Sequence, residues 1–156
     1  MKVVPKTFAL DVDGVLTTGQ FLYSESGKIY KVFGPHDSDG LKMLKDKLAI
    51  LFITADQRGF TISKKRIVDD MGYDLKLVSE DNRPAFFAEE LGYDQTIYMG
   101  DGIYDAPIIK KCICGIAPQN ARLEAKEAAD YVTPSASGCG AVLDACLFIR
   151  KVYFDH

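Results

Sequence analysis

Acidic residues follow three apolar segments of the sequence, each at the point where a buried strand would end. They are Asp11 and Asp13 after the first segment, Asp56 beyond Thr54 after the second, and Asp101 and Asp105 after the third. The carboxyl ends of parallel strands meet at one edge of a sheet, so we expect these carboxylates and the Thr54 hydroxyl to lie together. Their mutual repulsion requires a cation, and oxygen ligands without thiol or imidazole favour Mg²⁺. The sequence therefore predicts a magnesium site that can bind and transfer a phosphoryl group.

The two-residue spacing of Asp11 and Asp13 has a chemical meaning. Residues i and i+2 of an extended strand face the same side, so one carboxylate can attack phosphorus while the other protonates the leaving oxygen. An isolated Asp-x-Asp-Gly sequence is more often a turn held by side-chain hydrogen bonds. Its combination with Thr54 after a second strand and Gly-Asp-x-x-x-Asp after a later one favours the catalytic interpretation.

The elements that must position these residues alternate between strand-like and helix-like segments. The strand-like segments are Thr7–Leu10, Ala49–Ile53, Asp74–Val78, Thr96–Met99 and Cys112–Ile116. Helical spacing is clearest at Leu41, Leu44 and Leu48, over residues 84–91 and over residues 142–153. This alternation predicts an α/β, Rossmann-like fold, in which residues 1–156 form a single domain around a parallel sheet with helices on both faces.

One segment interrupts the alternation after the first strand. Gln20–Ser24 and Lys28–Phe33 are typical of two short strands joined by a turn, which predicts an inserted β-hairpin over about residues 20–33. Apolar residues lie on both of its faces, and an isolated two-stranded ribbon is only marginally stable in water. The parent domain or another subunit can cover it. Because one small domain cannot cover both faces, we predict a subunit interface.

The overall charge argues against two classes of partner. The chain has 19 Lys+Arg and 22 Asp+Glu residues, a formal net charge of −3, and no long basic run. This balance disfavours nucleic acid and anionic membranes and favours a small-molecule ligand. No apolar run approaches the roughly 18 residues of a membrane helix, and no signal-peptide pattern follows Met1, so we expect a cytoplasmic protein. The four cysteines form no Cys-x-x-Cys pair and are expected to be buried as small apolar side chains.

These motifs and their order resemble the haloacid dehalogenase superfamily of phosphotransferases. The motifs are Asp11-Val12-Asp13-Gly14-Val15-Leu16-Thr17, Thr54 after an apolar strand, and Gly100-Asp101-x-x-x-Asp105. More narrowly, the sequence is similar to the small capless branch that acts on 3-deoxy-D-manno-octulosonate 8-phosphate and on nine-carbon, sialic-acid-type sugar-acid 9-phosphates. The hairpin and a Gly-rich segment at residues 137–142 are part of this likeness, which covers nearly the whole chain.

The resemblance implies a role for each motif residue. Asp11 would be the nucleophile that forms an aspartyl-phosphate, and Asp13 would act as the acid and then as the base. Asp11, Asp101 and the backbone carbonyl of Asp13 would hold Mg²⁺. Thr54 would hydrogen-bond the phosphoryl oxygens, and Asp105 would support the metal site.

Two departures from the family pattern concern phosphate binding and substrate choice. The family has a phosphoryl-binding Lys at the start of the helix after the third strand, and here Arg83, just before Pro84, is the candidate and Lys76 the alternative. The octulosonate enzymes typically have Thr-Gly-Arg where this chain has Thr54-Ala55-Asp56. Asp56 is therefore expected to help choose the substrate, by binding sugar hydroxyls and repelling a carboxylate, as in the nine-carbon branch.

The sequence as a whole favours a Mg²⁺-dependent phosphomonoester hydrolase acting on a phosphorylated 2-keto-3-deoxy sugar acid. The resemblance implies a homotetramer assembled through the hairpin. One alternative is a catalytically weakened phosphatase-like domain that serves as an oligomerisation module, but Asp11, Asp13 and Asp101 are intact. Another is a two-component receiver domain, which needs its acceptor Asp on a middle strand and a Lys at the last one, whereas Thr54 and Cys114-Gly115 occupy comparable places here.

Overall fold

The computed structural model describes residues 3–155, which form a parallel sheet, an antiparallel hairpin and a set of short helices. In chain order, the strands are β1 (Thr7–Asp11), β2 (Thr17–Ser24), β3 (Gly27–Phe33), β4 (Ala49–Thr54), β5 (Asp74–Leu77), β6 (Thr96–Met99), β7 (Cys114–Ala117) and β8 (Tyr131–Val132). The α-helices are α1 (Asp37–Leu44), α2 (Phe60–Lys64), α3 (Arg83–Phe86), α4 (Ala106–Lys111), α5 (Leu123–Ala128) and α6 (Ala141–Ile149). Wider π-helical turns extend α2, α3 and α6 over Lys65–Asp70, Phe87–Leu91 and Arg150–Phe154, and a 3-10 turn covers Tyr93–Gln95.

The sheet confirms the predicted α/β class. Its six strands run in the order β5-β4-β1-β6-β7-β8, and every neighbouring pair is parallel. Successive side chains of the central strand face opposite layers, with Phe8 and Leu10 in one apolar cluster and Ala9 in the other. Helices cover both faces of the sheet, so the residues on both sides of this strand are fully buried. This burial explains why the strand is apolar without interruption.

The strand order creates the crevice that a ligand can use. From β1 the chain builds the sheet outward through β4 and β5, and then returns to the other side of β1 to build β6, β7 and β8. The loops that leave β1 and β6 at their carboxyl ends therefore diverge, which opens a cleft between them. Asp11 ends β1, Thr54 ends β4, and Asp101 follows β6 at this edge.

The predicted hairpin is present as a separate two-stranded sheet, and it begins three residues earlier than expected, at Thr17. Most of its large apolar side chains remain exposed, namely Phe21, Leu22, Tyr23, Ile29, Tyr30 and Val32. Lys31 is the opposite case, because this charged residue is buried. The hairpin thus turns a lysine inward and apolar groups outward.

Two smaller expectations have different outcomes. Three cysteines are buried as predicted, but Cys139 is exposed, because it lies in the loop that precedes α6 rather than in an element of the core. No helix within residues 3–155 combines the length and the apolar character needed to cross a bilayer.

Candidate active site

A tight turn after β1 brings the first acidic motif to the cleft. The carbonyl of Val12 accepts hydrogen bonds from the N–H groups of three residues, Val15, Leu16 and Thr17, which folds the chain back at once. Gly14 in this turn has a φ of +79°, and a Cβ there would lie 1.9 Å from Asp101 Oδ2. Only glycine therefore lets the β1 turn and the Asp101 carboxylate approach each other.

Three carboxylates meet where β1 and β6 end. One oxygen from each of Asp11, Asp101 and Asp105 lies within 4.8 Å of the others. Burial, reinforced by repulsion from neighbouring carboxylates, raises the pKa of Asp11 well above its usual range. Burial and then the charge of Asp105 raise the pKa of Asp101 to about 6. A hard divalent cation fits this cluster, because it would remove the repulsion that opposes ionisation.

Asp105 differs from the other two because both its oxygens are occupied. Oδ1 accepts hydrogen bonds from the Tyr98 hydroxyl and from Arg83 Nη1, and Oδ2 accepts the backbone N–H groups of Asp101 and Gly102 at 3.1 and 2.9 Å. Burial, together with the neighbouring carboxylates, raises the pKa of Tyr98 well above its usual value, so its hydroxyl remains a donor. Asp105 therefore fixes the loop, and Asp11 and Asp101 are left to contact a cation.

Arg83 enters this cluster from the first position of α3. Its Nη1 lies 3.0 Å from Asp105 Oδ1, 3.0 Å from the Tyr98 hydroxyl oxygen and 3.6 Å from Asp11 Oδ1. Burial alone would lower its pKa, but the hydroxyl and the carboxylates raise it, so the guanidinium stays charged. Its Nε is buried without a hydrogen-bond partner among the described residues. Lys76, in contrast, is exposed, with its ammonium 5.4 Å from the ring centroid of Phe86.

Thr54 is almost fully buried at the end of β4 and lines the same cleft. Its hydroxyl oxygen accepts the backbone N–H of Asp56 at 3.0 Å. The hydroxyl hydrogen is therefore available for an acceptor in the cleft, as a phosphoryl oxygen would be.

Asp56 has a setting that the sequence did not indicate. Its Oδ2 lies 2.6 Å from Lys28 Nζ and 2.8 Å from Lys31 Nζ, and its Oδ1 accepts the N–H of Gly59. Burial alone would raise its pKa, but the two lysines outweigh burial and lower the pKa to about 2. The expected repulsion of a substrate carboxylate is therefore offset by two adjacent ammonium groups.

Asp13 lies beside this lysine pair rather than in the three-carboxylate cluster. Lys31 Nζ is 3.0 Å from Asp13 Oδ2, and the Thr17 hydroxyl is 3.4 Å from Oδ1. With its side chain held in this way, the backbone carbonyl remains as the Asp13 ligand that the sequence analysis assigned to Mg²⁺.

A cavity of about 550 Å³ joins these groups. The predicted residues Asp11, Asp13, Thr54, Asp56, Arg83, Asp101 and Asp105 all line it, together with Phe21, Lys28, Ala55, Glu80, Gly102, Ile103, Tyr104 and Arg122. The sequence analysis missed the hairpin groups Phe21, Lys28 and Lys31, the buried Tyr98, and Arg122 on the rim. A lysine within the apolar stretch Ile29–Phe33 was the one available signal for Lys31.

Comparison with known proteins gives matches in sequence and in structure. Residues 85–145 match the model of the haloacid dehalogenase-like hydrolases. The 3-deoxy-D-manno-octulosonate 8-phosphate phosphatase of Haemophilus influenzae is 34% identical over 139 residues, which are 84% of this chain and 74% of that protein. The crystal structure of the Moraxella catarrhalis enzyme, in complex with magnesium ion, phosphate ion and KDO, has a TM-score of 0.81 at 27% identity and covers 94% of this chain and 86% of that chain. The cobalt-bound Haemophilus influenzae enzyme has a TM-score of 0.80 at 26% identity, with 97% and 94% covered.

The fold, the carboxylate cluster and these similarities define a haloacid dehalogenase-like hydrolase. Within that superfamily, the chain belongs to the same family as the octulosonate 8-phosphate phosphatases. It is a phosphatase, and Mg²⁺ is its cofactor, as predicted. Membership of this family excludes a two-component receiver domain, whereas a catalytically weakened phosphatase-like domain would belong to the same family.

The carboxylate cluster predicts that Mg²⁺ stabilises the protein in a pH-dependent way. In the metal-free protein, the raised pKa of Asp101 contributes stability at low pH that is lost as the pH rises through about 6. Mg²⁺ binds the ionised Asp101 carboxylate, so the stabilisation that Mg²⁺ adds increases as the pH rises. At 100 times its Kd it should add about 2.7 kcal/mol, or several degrees in Tm, at pH 7.5 and clearly less at pH 5.

Differential scanning calorimetry with and without Mg²⁺ measures this effect. Asp101→Asn should remove the Mg²⁺-dependent shift, whereas Asp69→Asn, at an exposed ion pair outside the site, should retain it. Equal shifts at both pH values would contradict the assignment of Asp101 as a ligand.

Proposed function

We propose that this phosphatase hydrolyses a phosphorylated 2-keto-3-deoxy sugar acid, octulosonate 8-phosphate or a nonulosonate 9-phosphate, through an aspartyl-phosphate on Asp11. The observation that carries the proposal is the convergence of two carboxylates and one guanidinium on one cleft. Asp11 ends the central strand, Arg83 Nη1 lies 3.6 Å from it, and Asp13 follows two residues later with its carboxylate on the cavity wall.

Covalent catalysis by Asp11 accounts for the placement of both carboxylates. An Asp11 oxygen attacks phosphorus, the bond from phosphorus to the sugar oxygen breaks, and Asp13 gives its proton to that oxygen. Water then attacks the phosphorus of the aspartyl-phosphate while Asp13 takes up its proton. Inorganic phosphate leaves, and Asp11 is regenerated.

The remaining groups bind the phosphoryl oxygens and orient Asp11. The Thr54 hydroxyl and the Arg83 guanidinium donate to those oxygens, and the N–H of Val12 holds Asp11 Oδ1 at 3.0 Å. Asp11, Asp101 and the backbone carbonyl of Asp13 would hold Mg²⁺, and Asp105 would position Asp101. Bound Mg²⁺ supplies positive charge that lowers the repulsion between the phosphoryl group and the Asp11 carboxylate.

The cavity supports a sugar acid as the rest of the substrate. Its volume of about 550 Å³ is in the range of small-molecule sites and exceeds what a phosphate needs. Arg122 contributes an exposed guanidinium to the rim, suited to the sugar carboxylate. Asp56 and Lys28 line the hairpin side, where a carboxylate and an ammonium can bind sugar hydroxyls. The relatives act on octulosonate 8-phosphate, as their names state, which favours the eight-carbon acid.

The exposed hairpin supports assembly into a homotetramer. Six large apolar side chains of β2 and β3 are exposed in the single chain. A hairpin is marginally stable without cover, and contiguous apolar surface of this kind marks protein interfaces. A second copy of the chain is the partner that this surface best accommodates.

The first prediction concerns the two catalytic carboxylates. Asp11→Asn should abolish turnover with the fold intact, because an amide does not attack phosphorus. Asp13→Asn should lower kcat by about 10²–10⁴-fold on a sugar phosphate and far less on p-nitrophenyl phosphate, whose leaving group needs no proton. Phosphate release by purified variants with native circular dichroism measures both effects. Activity retained by Asp11→Asn would contradict the nucleophile assignment.

A second prediction separates Arg83 from Lys76. Arg83→Ala should lower kcat/KM by about 2–4 kcal/mol of transition-state stabilisation, the range for one preorganised donor, and Arg83→Lys should recover part of that loss. Lys76→Ala is the matched control and should show wild-type kinetics, because its side chain is outside the cavity. Wild-type kinetics in Arg83→Ala together with a collapse in Lys76→Ala would transfer the role to Lys76.

A third prediction addresses the substrate. A phosphate-release screen with Mg²⁺ over eight- and nine-carbon sugar-acid phosphates should give the highest kcat/KM for one of them, and Asp56→Asn should change the ratio between the two acids. Arg122→Ala should raise KM for the sugar acids about tenfold more than for p-nitrophenyl phosphate, which has no carboxylate. Failure on all sugar-acid phosphates would overturn the substrate class.

A fourth prediction tests the assembly. Light scattering at micromolar concentration should show a tetramer, and the double change Leu22→Lys/Tyr30→Lys should dissociate it by placing charge on the exposed face. Leu147→Lys, an exposed apolar residue of α6, serves as the control and should leave the mass unchanged. A monomeric wild-type protein would contradict the interface.

A further inference from the structure

Lys31 is a buried lysine whose ammonium has three oxygen acceptors. Its side chain has no exposed surface, although it belongs to the otherwise exposed strand β3. Nζ lies 3.0 Å from Asp13 Oδ2, 2.8 Å from Asp56 Oδ2 and 2.8 Å from Ser63 Oγ. Three N–H donors therefore meet three acceptors, which satisfies the buried charge completely.

The opposite side of the Asp13 carboxylate is held as well. The hydroxyl of Thr17, which is fully buried, lies 3.4 Å from Asp13 Oδ1. The Thr17 hydroxyl oxygen accepts the backbone N–H groups of Gly14 and Gly19, so the hydroxyl hydrogen is directed to Asp13. The carboxylate is thus bracketed by Thr17, where the hairpin begins, and by Lys31 on its returning strand.

The surroundings are shaped to admit this lysine. A Cβ at Gly59 would lie 2.7 Å from Lys31 Cε and 2.3 Å from Asp56 Oδ2, so a larger residue there would displace the pair. Lys28 reaches the neighbouring position but makes different contacts. It pairs with Asp56 and lies over the Phe21 ring, 3.5 Å from its centroid.

We propose that Lys31 is the positioning residue of Asp13, so that the inserted hairpin aims the carboxylate that transfers the proton. This inference rests on the proposed acid and base role of Asp13. A small misplacement of a reacting group can cost a factor of about 10² in rate. Lys31 would prevent such misplacement by fixing Oδ2, while Thr17 fixes Oδ1. Lys31 contacts neither Asp11 nor Asp101 and no side chain of the phosphoryl site. Its two carboxylate partners are Asp13 and Asp56, and its effect on proton transfer acts through Asp13.

The leaving-group dependence of kcat separates positioning from a merely structural role. Lys31→Met should lower kcat at least tenfold more on the sugar-acid phosphate, whose alkoxide needs a proton, than on p-nitrophenyl phosphate. Lys64→Met is the control: it removes the ammonium of an exposed ion pair with Asp69, outside the cavity, so the ratio of the two kcat values should stay at the wild-type value. A structural role would lower both rates equally.

A double-mutant cycle completes the test. Asp13→Asn/Lys31→Met should be no slower on the sugar-acid phosphate than Asp13→Asn alone, within about threefold, because Lys31 acts through Asp13. Independent, multiplicative losses would overturn the inference. If Lys31→Met does not fold, Lys31→Gln, which keeps an N–H donor without the charge, replaces it. The ratio of its kcat values on the two substrates then tests the positioning role in the same way.

The outcomes also distinguish this inference from the proposed function. If Asp13→Asn shows the leaving-group dependence and the Lys31 variant does not, the positioning role is wrong and the acid role of Asp13 stands. If Asp13→Asn itself damages both substrates equally, the acid role fails, and the inference fails with it.

Discussion

Carboxylate repulsion at the carboxyl ends of β1 and β6 is the constraint on which the rest of the site depends. Asp11, Asp101 and Asp105 bring oxygens within 4.8 Å of one another in a half-buried cleft, an arrangement that is unfavourable without compensation. The protein compensates only part of it. Arg83, Tyr98 and backbone N–H groups saturate Asp105, whereas the charges of Asp11 and Asp101 are less fully compensated. This incomplete compensation is the reason why we propose that Mg²⁺ binds here.

The carboxylates on the hairpin side of the cavity also need compensating positive charge, and there lysine side chains supply it. Asp13 and Asp56 are compensated by protein cations, since Lys31 bridges both carboxylates and Lys28 binds Asp56. The two halves of the cavity therefore differ electrostatically. In one half, a metal ion is needed to neutralise the carboxylate charge, and in the other half the lysines of the protein neutralise it. Asp13 lies where the two halves meet, a position that suits the proton transfer proposed for it.

The two sides of the hairpin also differ. Lys28 and Lys31 contact Asp56 and Asp13 on the cavity side. The Phe21 ring lies beside Lys28 Nζ and also lines the cavity. Its other large apolar residues are exposed, namely Leu22, Tyr23, Ile29, Tyr30 and Val32. The hairpin thus has charged groups on its cavity side and apolar side chains on its exposed surface, which is the surface proposed for assembly.

The sequence alone indicated five of the six strands of the sheet, because uninterrupted apolar segments are local properties of the chain, and it missed the two-residue strand β8. It also placed Asp11, Asp13, Thr54, Asp101 and Asp105 at or just after the ends of these strands. It also indicated the hairpin from its alternating pattern and turn. It left Arg83 and Lys76 as alternatives and treated Asp56 as an unpaired anion, and it missed Lys31 and Tyr98. Only the tertiary structure shows where these side chains lie: Arg83 lines the cavity, Lys76 does not, and Asp56 contacts two lysines. Residue periodicity reports which side of its own element a residue occupies, whereas the Lys28–Asp56 and Lys31–Ser63 contacts join positions 28 and 32 residues apart, and their geometry arises only when the hairpin packs against the helix after β4.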